Sequence, residues 1–82
     1  MTFRERVLTI VMDIPKGKTM TYGEVAALAG SPNAYRAVGS IMKHNYDPSI
    51  PCHRVIKADG TLGQYNRGEA RKAQLLRQEG AL

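Results

Sequence analysis

The 82-residue chain holds a single cysteine, Cys52, which excludes an internal disulfide. With His44 and His53 it makes three Cys and His side chains, one short of a closed four-ligand zinc site of that type, so no metal or other cofactor is expected. No apolar run approaches the roughly 20 residues of a membrane span. Thr2-Phe3-Arg4-Glu5 opens the chain with charges of both signs, unlike a signal peptide. There is no repeat, linker or low-complexity segment. The length allows one domain. A domain so small buries only about 60% of the surface its unfolded chain exposes, so helical packing is the economical way to build its core. These absences leave a reduced, non-membrane, monomeric domain, expected in the cytoplasm and nucleoid-associated if its source is prokaryotic.

What is present is basic. Twelve Lys and Arg against seven Asp and Glu give a formal charge of +5, which favours a polyanionic partner. Thr2 and Glu5 form a capping-box pattern, and Phe3, Val7, Ile10, Val11 and Ile14 recur at helical spacing up to Pro15. Lys16-Gly17-Lys18 reads as a turn. Thr21 and Glu24 form a second box before Val25, Ala26, Leu28 and Ala29, and Gly30 stops that helix. Ser31-Pro32 is expected to restart a helix at once, with Ala34, Ala37, Val38, Ile41 and Met42 inward and Arg36, Ser40 and Lys43 on another face. Two helices joined through a glycine make a helix-turn-helix candidate. The second carries Arg36 and Lys43 and no acid between Pro32 and Asn45, as a helix facing nucleic acid requires. Val55-Ile56-Lys57 and Thr61-Leu62-Gly63 flank Asp59-Gly60, a hairpin signal that reads as a wing. A last helix is expected from a cap-like Asn66-Arg67-Gly68-Glu69 through Leu75 and Leu76 to Gly80. The fold class is therefore mainly α: a winged helix-turn-helix bundle of three to four helices with a short two-stranded β wing, residues 1–82 forming one domain.

Cys52 lies in Ile50-Pro51-Cys52-His53-Arg54-Val55. A thiolate, not a thiol, is the nucleophile, so a reactive cysteine needs a base or a positive field nearby. His53 and Arg54 follow it directly. Neighbouring side chains point apart in extended structure, so a turn at Pro51-Cys52 or a bridging water has to connect thiol and imidazole. A base commonly has a third group that orients it. Glu79 is the candidate, because an acid at a helix C-terminus opposes the dipole and needs another reason to be there.

These residues resemble the O6-alkylguanine-DNA alkyltransferase family. Pro51-Cys52-His53-Arg54-Val55 is similar to its active-site signature, and Gly17 to Glu24 (GKTMTYGE) to the segment before its helix-turn-helix. Arg36-Ala37-Val38-Gly39 resembles the recognition-helix core, and Asn45 the active-site hinge. Gly60, Gly63, Tyr65 and Gly68 match the substrate loop, and Leu75-Leu76 with Glu79-Gly80 the final helix. The resemblance covers essentially the whole chain and implies a suicidal transfer. An O6-alkylated guanine is flipped from duplex DNA and its alkyl group moves irreversibly to Cys52. On the same implication, His53 deprotonates the thiol through a water, Glu79 orients His53, and Asn45 holds the loop. Tyr22 pushes the target phosphate and protonates the leaving guanine. Arg36 fills the gap in the base stack. Ala34, Tyr35, Gly39, Ser40 and Lys43 join Tyr22 and Arg36 on DNA, with the recognition helix in the minor groove. Val55, Tyr65, Asn66 and Arg67 line the substrate pocket.

The chain departs from the family pattern in three places. The family's usual N-terminal α/β domain is expected to be missing. The Asn45–Cys52 loop is one residue short, with Tyr46 where proline is common. Asn66-Arg67 replaces a small pair, which points to a substrate range narrowed toward methyl or to a changed task. The main rival reading is an alkyltransferase-like module that binds lesions and signals to other repair. Such proteins lack the cysteine, so Cys52 argues against it. A sequence-reading regulator is weaker, since Asn33, Arg36 and Lys43 are its few base-reading side chains.

Overall fold

The computed structural model describes residues 1–63, 65 and 67–82. Helix α1 (Phe3–Met12) starts at the expected capping box. The Thr2 hydroxyl accepts from the Glu5 N–H at 3.1 Å, and the Glu5 carboxylate accepts from the Thr2 N–H at 2.9 Å. Val7 and Val11 on its inner face are buried, as is Ile14 just beyond its end. Strand β1 (Met20–Thr21) leads into α2 (Tyr22–Leu28) through the second box, Thr21 with Glu24. Gly30, at φ 92°, ends α2 in a Schellman motif: the Ser31 N–H bonds the Ala26 carbonyl and the Gly30 N–H that of Ala27.

That motif changes the start of the next helix. Ser31 closes α2, and residues 31–34 then form a turn in which the Ala34 N–H bonds the Ser31 carbonyl. Helix α3 (Tyr35–Lys43) therefore begins later than Ser31-Pro32 suggested, with Ala34 as a cap that makes no side-chain bond. Val38 and Met42 are buried and Ile41 partly so, but Ala37, one residue off that stripe, is exposed.

After a loop, one 3-10 turn (Cys52–Arg54) precedes β2 (Val55–Ile56). The two-stranded sheet exists, but its pairing differs from the expected hairpin. Strands β1 and β2 run parallel, Met20 opposite Val55 and Thr21 opposite Ile56. The Asp59-Gly60 turn does form. Asp59 Oδ1 accepts from the Thr61 N–H and hydroxyl, and the Lys57 N–H bonds the Thr61 carbonyl at 2.9 Å. Beyond that bond, the Leu62 carbonyl accepts from the Lys72 ammonium. Helix α4 (Glu69–Gln78) follows Gly68, whose φ is 91°. The expected cap at Asn66 lies outside the described residues. A second Schellman motif, Ala81 N–H to Leu76 carbonyl around Gly80, ends α4.

The core gathers Val7, Val11 and Ile14 with Val25 and Ala26 of α2 and its C-cap Ala29, Val38 and Met42 of α3, then Cys52 and Val55. Four helices and a small sheet thus close over an apolar centre whose edge is the only cysteine. Among the described residues no helix is long and apolar enough to cross a membrane.

Candidate functional site

Proline sets the geometry of the thiol. Pro51 sits at φ −80°, ψ 65°, and the Cys52 N–H reaches back to the Ile50 carbonyl at 2.8 Å, an inverse γ-turn. The 3-10 turn begins there, supplying the bend that extended backbone would not. Cys52 is free and buried, with 6% of its surface exposed. Its Sγ accepts from Asn45 Nδ2 at 3.0 Å and lies 3.4 Å from the Ile50 carbonyl, an acceptor for its own proton. Asn45 is itself buried just past α3, and its Oδ1 accepts from the Asp47 N–H at 3.3 Å. One amide therefore ties both ends of the 45–52 loop to the thiol.

The next residue completes a chain of charge. His53 Nε2 lies 2.9 Å from Glu79 Oε2. Arg54 grips the same carboxylate with two bonds, Nε to Oε1 at 2.9 Å and Nη2 to Oε2 at 2.8 Å, while its Nη1 donates to the Ile14 carbonyl. The Arg54 bonds, joined by that of His53, outweigh burial and hold the Glu79 carboxyl down at about 2. An ionised carboxylate only accepts, so the hydrogen of this bond is carried by His53 Nε2. Among the described residues no direct hydrogen bond joins His53 to Cys52. The His53 ring also meets Tyr65 edge to face, centroids 6.5 Å apart.

Sequence reasoning gave Arg54 no partner and missed Lys72. Lys72 is fully buried. Its Nζ donates to the Val55 carbonyl at 2.6 Å, to the Leu62 carbonyl at 2.5 Å and to Tyr22 Oη at 3.4 Å. Burial pushes this amine down to about 8, with charge on Cys52 and Glu69 opposing. The available signal was its place one turn before Leu76, on the buried stripe of α4. Tyr22 is pushed up by burial, then by charge on Cys52.

Two concavities meet these groups. One, of about 370 Å³, opens onto Cys52 between the 45–51 loop and α4, with Tyr65, Arg67 and Arg71 on its wall. The other is an open groove of about 810 Å³, where Tyr22, Tyr35, Arg36, Gly39, Ser40 and Lys43 face Lys57. The structure thus brings together Cys52, His53, Glu79, Asn45, Tyr65 and Arg67, and separately the α3 face with Tyr22. Ala34 stands at the head of α3 outside that groove. Val55 lines neither space: its side chain is fully buried in the core, where β2 turns it inward. Asn66 lies outside the described residues. Among the described residues no group of three or more His, Cys, Asp or Glu side chains is placed to hold a metal.

Residues 2–81 match the family described as 6-O-methylguanine DNA methyltransferase, DNA binding domain. The methylated-DNA–protein-cysteine methyltransferase of Methanothermobacter thermautotrophicus is 47% identical over 79 residues, 95% of this chain and 44% of that protein. The solved Mycobacterium tuberculosis OGT in complex with DNA superposes with a TM-score of 0.90 at 45% identity, over 96% of this chain and 49% of the other. S. pombe Atl1, in complex with damaged DNA containing O6-carboxymethylguanine, gives 0.87 at 41% identity, over 95% of this chain and 75% of that one. The chain spans less than half the length of the curated relatives it matches. Fold, thiol turn and family match agree, and the chain belongs to the 6-O-methylguanine DNA methyltransferase family, as its DNA-binding domain.

Proposed function

We propose that this domain extracts an O6-alkylated guanine from duplex DNA and transfers the alkyl group to Cys52 in a single turnover. The observation that carries the reading is the buried thiol of Cys52, held by Asn45 at 3.0 Å at the floor of a cavity beside the His53–Glu79 pair. A base stacked in a duplex is out of reach of such a thiol, so it must be flipped, at a cost of a few kcal/mol. The groove along α3 is the DNA face, and Arg36 on it occupies the vacated stack. The thiol proton leaves through a water to His53 Nδ1, whose imidazolium is stabilised by Glu79. Sulfur then attacks the alkyl carbon: the S–C bond forms as the C–O6 bond breaks, and the departing guanine takes a proton from Tyr22. Regeneration would require the thiolate to leave an unactivated alkyl carbon, so the product is dead and one cysteine suffices per event.

The test is intact-protein mass spectrometry after mixing with a duplex holding one O6-methylguanine. The expected result is a gain of one methyl mapped to Cys52, abolished in Cys52→Ser with lesion binding retained. Transfer that persists in Cys52→Ser would overturn the assignment. A second reading, lesion binding without efficient transfer, is favoured by the likeness to Atl1 over three quarters of that chain. Its signature is an unchanged mass with tight lesion binding in a gel shift.

A further inference from the structure

The wall of the Cys52 cavity carries two guanidinium groups that lack a carboxylate partner. Among the described residues Arg67 makes no hydrogen bond or ion pair, and Arg71 bonds only the side-chain oxygen of Gln74, at 3.0 Å. The carboxylates of the same cavity are engaged elsewhere. Glu79 is held by Arg54 and His53. Asp47 accepts from the Ser49 N–H at 2.9 Å and the Ser49 hydroxyl at 2.7 Å. Both side chains are exposed to solvent on the cavity wall, beside Tyr65, whose hydroxyl is pushed up by burial and by charge on Cys52 while Arg67 and Arg71 oppose that rise. A neutral apolar substituent entering here would displace the water on the cavity side of two exposed cations and return no bond to them. A carboxylate matches the planar fork of a guanidinium and returns charge-assisted bonds.

We propose that Arg67 and Arg71 make the Cys52 cavity prefer a guanine whose O6 substituent carries an anion, such as carboxymethyl, over a neutral substituent of the same size. The inference rests on the reading of this cavity as the alkylguanine site. A phosphate of the DNA backbone offers the same guanidinium chemistry, but it is present whatever the adduct, so only a difference between adducts identifies the substituent as the ligand.

The experiment compares duplexes of one sequence carrying O6-carboxymethylguanine or its neutral isostere O6-carbamoylmethylguanine. Binding is measured with Cys52→Ser and transfer with the unsubstituted protein by intact mass. A preference of about fivefold for the carboxylate is expected, the size of a partly exposed charge-assisted pair. It should fall toward one in Arg67→Gln and in Arg71→Gln. Equal binding of the two duplexes, or a loss in the variants that leaves their ratio unchanged, overturns the proposal and assigns the arginines to phosphate. Absent transfer with the binding preference intact removes the proposed reaction and leaves this inference standing.

Discussion

A single carboxylate organises the residues around Cys52. Glu79 stands at the C-terminal cap of α4, where the helix dipole disfavours a negative charge. Arg54 offsets that cost and fixes the carboxylate against His53. The folded carboxyl titrates near 2, below its ordinary 4.5. Its pairing therefore stabilises the fold fully above pH 4.5 and is lost as pH falls toward 2. Thermal melts between pH 5 and 2 should show unsubstituted protein losing more stability than Glu79→Gln over that window; parallel curves would place the carboxylate outside the native network. Lys72 gives a slope of the same sign in an alkaline window. Its folded value of about 8 lies below 10.5, so between pH 8 and 10 the unfolded chain holds a proton that the native chain has released. Stability should rise across that interval relative to Lys72→Met, measured by urea denaturation at each pH.

Elements start and stop where short-range chemistry dictates, and that part was legible in the sequence. Both capping boxes, both Schellman glycines and the inward stripe of α1 were read from residues one to four positions apart. The misreadings have a common cause. Ser31 and the Thr61–Gly63 segment are claimed by groups distant in sequence or by a neighbouring helix end, the first by Ala26, the second by Lys72. The thiol turn was legible because Pro51 sets its own φ, whereas the grip of Arg54 on Glu79 spans 25 residues and leaves no local trace. The loop before α4 shows how such distant contacts load an element. Gly63 has φ 75°, and a Cβ there would lie 2.9 Å from Tyr22 Oη. Gly60 has φ 88° with nothing within 4 Å. Gly60→Ala should cost about 1–2 kcal/mol of backbone strain alone. Gly63→Ala should cost more in urea melts, and should also weaken lesion binding by displacing Tyr22; equal effects would mean that Tyr22 yields freely.

The whole molecule is a cation of formal charge +5 with its free charge unevenly placed. Arg36, Lys43 and Lys57 border the α3 groove, and Asp59 is the acid among its lining residues. Asp59 is engaged by Thr61, which holds its carboxyl below the usual range and so keeps it charged but occupied. If the three cations each neutralise one phosphate, affinity for undamaged duplex should fall with salt at a logarithmic slope of about −2.7. Lys57→Ala should flatten that slope by about 0.9 and weaken binding equally on damaged and undamaged DNA, since a phosphate contact carries no base information. Arg36→Ala should flatten it by the same amount yet weaken binding to O6-methylguanine duplex further than to undamaged duplex. A side chain that enters the stack is engaged there only when a base has left it, so the further loss appears on the lesion, beyond the salt term that both variants share. Fluorescence anisotropy titrations of both variants on both duplexes, at four salt concentrations, separate the two contributions. Identical behaviour of Arg36→Ala and Lys57→Ala would reduce Arg36 to one more phosphate contact and leave base extrusion to Tyr22.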